Sequence, residues 1–246
     1  MTNNRTSRIG TLLLVIAFTA LLMVAVMIFG SRMGLWDPIV GFGYIRNYLN
    51  PIGLSLLALS TLGLIYQWIT RDRTGALKSL VAAFIGVGLI APMLHGITHP
   101  VKREPAIHDI TTDTINPPEF YKLDDTRAGA KNSLIYAGEE VAAIQKKLYP
   151  YIKPIQSNLS SEDAYAKALD IAKNSGWEVV AGYPEALRFE ATAQTTFFGF
   201  MDDVVVQVTP INNKSRIDIR SVSRIGRSDK GVNAARIVEF TESFNQ

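Results

Sequence analysis

The hydrophobic rhythm of the chain changes twice. From Ile9 to about Phe29, from about Asn47 to Thr70 and from Ser79 to about Val101 the residues are apolar almost without a break, and no acidic side chain falls within the three runs. Each run is roughly 20 residues or more, the length at which a helix crosses a ~30 Å hydrocarbon core. The pattern predicts membrane helices at about 9–29, 50–70 and 77–97, hence a transmembrane domain over residues 1–100. The first run is longer than the apolar core of a signal peptide, and IFGSRMG at its end offers no small-x-small cleavage site, so it reads as an uncleaved helix. Pro92 should kink or end the third helix. The first connection, SRMGLWDPIVGFGYIRNYLNP, sets Trp36, Phe42, Tyr44 and Tyr48 among glycines, as in a segment lying at the headgroup layer.

Beyond residue 100 the long apolar runs stop. Residues 101–135 are proline-rich and lack a period, and Pro117-Pro118 excludes helix there; the stretch reads as an extended arm on the following domain or a spacer from the membrane. A helical period then returns in GEEVAAIQKKLYP (138–150), with Val141, Ile144 and Leu148 on one face, and in SSEDAYAKALDIAKNSG (160–176). The second of these has Ser160 or Ser161 as its cap, a stripe of Ala164, Ala168, Ile171 and Ala172, and a stop at Gly176. After this the period falls to two. WEVVAG, ALRFEATA, DDVVVQVTP and SRIDIRSVSR read as strands joined by short turns, so neighbours should pair antiparallel. VNAARIVEFTESF closes the chain as a helix with Ile237, Phe240 and Phe244 on one face, capped by Asp229 or Asn233. The expected fold is α+β: three transmembrane helices, then a soluble domain over 136–246 built as a two-layer sandwich, its antiparallel sheet of about four strands covered on one face by helices.

Charge separates the same two regions. Residues 1–100 hold seven Lys/Arg and two Asp/Glu, residues 101–246 hold 18 and 20, so the basic excess flanks the apolar helices and forms no basic face for nucleic acid. Arg5, Arg8 and the tight turn carrying Arg71, Arg73 and Lys78 stand against Arg32, Arg46, Lys102 and Arg103. By the positive-inside rule the N-terminus and that turn are expected to face the cytoplasm, and the C-terminal domain to emerge on the other side of a bacterial inner (plasma) membrane, in the periplasm or cell exterior. The absence of cysteine excludes disulfides, thiolate metal sites and a Cys nucleophile.

Four strings, PAIHDITTDTINPPEF, QKKLYPYIKP, FFGFMDDVVVQV and RIDIRSVSRIGRSDKGVNAARIVEF, occur in the order found in the family of uncharacterised proteins called domain of unknown function 1499. The chain resembles a membrane-anchored form of that family over about residues 105–241. The resemblance implies no activity and supplies no catalytic residues.

The chemistry must then come from the side chains. Polar groups are densest at Asp202 and Asp203, and from Arg220, Ser221, Ser223 and Arg224 into the loop with Arg227, Ser228 and Asp229, ahead of Asn233. A loop feeding a helix N-terminus can hold an anion, and arginine forks can add donors for phosphate or carboxylate. The plainer expectation is that Asp202 or Asp203 pairs with Arg220 or Arg224 across adjacent strands. Consecutive strand residues face opposite ways, so the two aspartates make a poor acid/base pair. No P-loop or GxSxG elbow is present. His95, His99 and His108 are metal-ligand types, but the expected reading is imidazoles at the headgroup level and an Asx-type turn at Asp109, with no metal and no cofactor. Two function classes follow. One is an envelope protein binding an anionic ligand, a lipid headgroup or a partner protein without turnover. The other is an enzyme on a lipid-linked or envelope substrate using Asp202 or Asp203 with Arg220 and Ser221 or Ser223.

Overall fold

A computed structural model of the protein describes residues 4–99, 105–212 and 214–246, with side-chain surroundings from Arg8 onward. Lys102 and Arg103, counted above for orientation, lie outside the described residues, as do the surroundings of Arg5. The chain divides into two compact units: Met1–Arg103 with Phe197–Gly199, and Glu104–Thr196 with Phe200–Gln246.

The first unit is built on α1 (Asn4–Phe29), α2 (Pro38–Thr70) and α3 (Arg73–Thr98), each long and apolar enough to cross a membrane. They mark a multi-pass membrane domain. Small residues let the helices approach closely: a Cβ on Gly10 would strike the Gly75 backbone, and one on Gly53 would strike Ile90. The first connection departs from expectation. Instead of a headgroup-layer segment running to residue 50, α2 begins at Pro38, where a proline fits the first helical turn because its missing N–H would have no partner there anyway. Gly41 is a packing residue within that helix, since a Cβ would meet the Met27 carbonyl and the Trp36 ring. Pro51 also sits inside α2, and Pro92 lies inside α3 without ending it.

The second unit is an α+β domain. Its sheet runs β1 (Asp109–Thr111), β6 (Lys214–Ser223), β5 (Met201–Ile211), β4 (Arg188–Gln194), β3 (Glu178–Tyr183), and every pairing is antiparallel. β2 (Ile155–Ser157) joins the same edge of β6 as β1, opposite Ser215–Ile217, while β1 lies opposite Arg220–Val222. The four strands expected from the period are β3 to β6. The two additions are three residues each, too short to carry a period, and they form because β6 offers an edge of unpaired N–H and C=O groups.

Alternation decides what each sheet face meets. Phe189, Ala191, Val204, Val206, Ile217 and Ile219 point to one face and bury against α5 (Ser161–Asn174) and α6 (Val232–Asn245). Ser160 caps α5, accepting from the Asp163 N–H, and Ala164, Ala168 and Ala172 let that helix sit close. α4 (Glu139–Leu148) packs Val141, Ile144 and Leu148 against the same core. Its Gln145 is buried and behaves as one residue of a strand, accepting from the Thr111 N–H at 3.0 Å and donating to the Thr111 carbonyl at 2.7 Å.

The opposite face is polar and yet buried. Arg188, Glu190, Thr192, Asp203, Asp218 and Arg220 are all covered. The cover is the segment from Asp113 to Tyr136, which is the arm of the two readings left open by the sequence. The domain therefore has a third layer of irregular chain beyond the helix and sheet layers.

Candidate functional site

The nine residues singled out from the sequence fall on both sheet faces, in one loop and, for Asn233, in the first turn of α6. On the helix face, Asp202 accepts from Arg236 Nη2 at 2.6 Å. Ser221 donates to Asn233 Oδ1 at 2.6 Å, and Asn233 Nδ2 donates to Ser223 Oγ at 2.9 Å and to the His108 carbonyl at 3.0 Å. Asp229 accepts from the Asn233 and Gly231 N–H groups and so caps α6. Burial pushes the Asp229 carboxyl up, these two N–H groups pull it back, and the nearby Asp202 charge adds to the net rise. Arg227 is exposed in the loop; its carbonyl, not its guanidinium, faces His108 Nδ1, at 3.4 Å.

On the arm face the expected cross-strand pair forms once. Arg224 Nη2 donates to Asp203 Oδ1 at 2.8 Å, and a second guanidinium, Arg127 from the arm, donates to Asp203 Oδ2. Arg220 does not pair with either aspartate of β5. It grips Asp109 with both arms of its fork, at 2.9 and 2.7 Å, and also donates to the Pro118 and Leu134 carbonyls at 3.2 and 2.7 Å. Phe120 and Tyr136 lie against its guanidinium. Asp109, read as the centre of an Asx-type turn, is instead buried in this pair, and the turn belongs to Asp113, which accepts from Ile115 and Asn116 N–H. Partial burial acts to raise the Asp113 pKa, but those N–H groups and Arg216 outweigh it and hold the carboxyl below its usual range. In the first unit, His95 and His99 stack with ring centroids 4.5 Å apart.

Between the arm and the polar sheet face lies a cavity of about 900 Å³. This is within the ~300–1,000 Å³ range of small-molecule sites. The register builds its floor: Arg188 of β4 stands opposite Gln207 of β5, which stands opposite Asp218 of β6, with Thr209 and Arg216 one step along. Its roof is the arm, including Pro117, Pro118, Phe120 and Tyr136. Of the nine sequence candidates only Arg220 lines it.

Ion pairing on this face is almost complete. Arg216 serves Asp113 at 2.6 Å and Asp218 at 2.8 Å. Glu190, fully buried, accepts from three successive arm N–H groups, those of Tyr121, Lys122 and Leu123. Arg188 is the exception. It is 3% exposed, its guanidinium stacks on Tyr121 at 3.9 Å, and its Nε and Nη1 have no hydrogen-bond partner among the described residues. The Tyr136 hydroxyl is also buried without a hydrogen-bond partner among the described residues. Burial, reinforced by the Asp109 charge, pushes that phenol up to about 12. It is therefore a proton donor at any physiological pH. Sequence reading missed Arg188 and Tyr136. The alternation of Arg188 and Glu190 with Phe189 showed that they share a face, but a polar face is ordinarily a solvated one.

Two outcomes follow. Arg220→Ala should destabilise the domain by about 3–5 kcal/mol, because it leaves buried Asp109 without its partner. Arg227→Ala should change stability by no more than roughly 0.5 kcal/mol, as for surface substitutions in general. Hydrogen exchange of the β6 amides measures both, and equal losses would refute the distinction. Tyr136 gives a pH signature: a phenol raised in the folded state contributes stability that is complete below its unfolded value near 10 and is lost as pH rises towards about 12. Tyr136→Phe should flatten that alkaline loss in a melting-temperature series, and superimposable curves would reject it.

A family model described as a protein of unknown function, DUF1499, matches residues 109–244. No curated protein matches the chain.

Proposed function

We propose that this chain, which belongs to the DUF1499 family, is a membrane-anchored binding protein whose globular domain holds a ligand in the cavity beneath its arm without turning it over. The observation that carries this reading is the cavity itself: a site of about 900 Å³ whose floor includes a buried, unpartnered arginine. The side chains considered for catalysis support the non-catalytic side. Asp202 and Asp203 point to opposite faces and each is held by arginine, while Ser221 and Ser223 are bonded to Asn233. None of these is poised as a free acid, base or nucleophile beside the cavity.

The membrane arrangement is part of the proposal. The start of α1 and the α2–α3 turn lie at one end of the helical unit, where Lys78 Nζ donates to Thr11 Oγ1 at 2.8 Å. Arg8, Arg71, Arg73 and Lys78 gather at that end, which supports placing it in the cytoplasm of a bacterium and the domain in the periplasm. Lipid headgroups and envelope proteins are then the partners within reach.

Native mass spectrometry of the full chain released in an uncharged detergent tests the binding reading. One small molecule per chain should remain bound, and Thr209→Trp, which extends a ring from the exposed end of the cavity floor, should lose it. A bare chain under the gentlest release would overturn the reading. For orientation, an alkaline phosphatase fused after Gln246 should be active; an inactive fusion paired with a fluorescent cytoplasmic reporter would place the domain in the cytoplasm.

A further inference from the structure

We propose that the cavity binds an amphiphile whose head is a singly charged oxyanion, a carboxylate or a phosphodiester, accepting hydrogen bonds from Arg188 and Tyr136 while its apolar body lies along Ile115 and Ile135. The inference rests on the binding reading above and deepens it.

The head follows from what the cavity leaves unsatisfied. Arginine does not shed its proton in a protein, so a buried guanidinium without an acceptor is a standing demand for one. The face of Arg188 is taken by Tyr121, which leaves Nε and Nη1 as donors for the oxygens of a carboxylate or phosphate. The Tyr136 hydroxyl, a second buried cavity-lining group without a hydrogen-bond partner among the described residues, supplies a neutral donor. The single charge follows from the neighbours. Glu190 lies two residues along the same strand face and keeps its carboxylate among arm N–H groups; Asp113 and Asp218 share one arginine; Asp124 is tied to Thr126, and Asp125 to Ser133 and, at 3.5 Å, to Arg127, which already serves Asp203. A dianion would meet uncompensated negative charge there, whereas a monoanion is balanced by Arg188.

The tail follows from the lining. Ile115 is 79% and Ile135 80% exposed, and Tyr121 is 64% exposed, although all three line a cavity whose floor is polar. Large apolar side chains left open around a charged floor fit a molecule with a charged end and an apolar body. A protein with three membrane helices is surrounded by molecules of that kind.

The test uses the full chain in dodecyl maltoside with three probes: oleate, oleoyl-lysophosphatidylglycerol and uncharged monoolein. Binding is read by native mass spectrometry and by the rise in melting temperature. At least one anionic probe should bind about tenfold or more tightly than monoolein, the scale of a charge-assisted hydrogen bond. Oleate alone would assign the carboxylate, the lysolipid alone the phosphodiester, and both the shared oxyanion. Arg188→Gln should bring anion binding down to the monoolein level, while the ligand-free protein loses only the stack on Tyr121 and still melts cooperatively. Tyr136→Phe should weaken binding several-fold, and Arg227→Ala should leave it unchanged. Should Arg188→Gln fail to fold, Arg188→Lys keeps the charge without the fork and should retain part of the preference. Monoolein binding as tightly as the anions, or anion binding unaltered in Arg188→Gln, would overturn the oxyanion and leave the cavity's binding role standing. No binding of any probe, with a bare chain in the mass spectrum, would remove both.

Discussion

A stretch of chain without helix or strand can be buried only if something else satisfies its backbone. The third layer of this domain meets that constraint with the charged side chains of the sheet. Glu190 takes the N–H groups of Tyr121, Lys122 and Leu123; Arg220 gives to the carbonyls of Pro118 and Leu134; Arg224 gives to that of Ala128. Asn132 returns the favour, donating from its amide to the carbonyls of Ser223 and Gly226. The charges stand in for the regular partners that a helix packed on this face would not need. Everything at the cavity depends on that exchange, because the cavity exists only where the arm is held off the sheet.

The same constraint explains why the arginines of this face are unequal. Arg220, Arg224 and Arg127 each combine a carboxylate with at least one backbone carbonyl, and so tie the arm to the sheet. Arg216 is committed to two aspartates. Arg188 holds the arm only through the ring of Tyr121, a contact that satisfies none of its N–H groups. A buried charge with packing but no acceptor is costly, and the packing around it keeps the side chain in place rather than letting it reach water.

Much of this architecture could be read in the sequence, and the parts that could not share a cause. The apolar runs gave the three membrane helices, and the period of two gave β3 to β6 with their inward faces, because both signals are local. α2 starts earlier than its apolar run because Gly41 packs on the Met27 carbonyl and the Trp36 ring, a contact that no local pattern shows. β1 and β2 are strands only by virtue of an edge supplied by β6. The Arg224–Asp203 pair was legible from adjacent strands, whereas the partner of Arg220 lies 111 residues upstream in a segment that locally resembles a turn. Alternation told which residues share the face of Arg188; it could not tell that an arm would cover them.

That distance has a consequence for how the protein is made. The arm leaves the ribosome before any of its anchors: Glu190, Asp203, Arg220 and Arg224 all belong to the last quarter of the chain. At roughly 5–20 residues per second, the arm waits for several seconds with its backbone groups unmet. Domain formation is thus held back until β6 has been made. Loss of even the final strand and helix would strand the arm, together with the core face, as an adhesive segment beside the membrane.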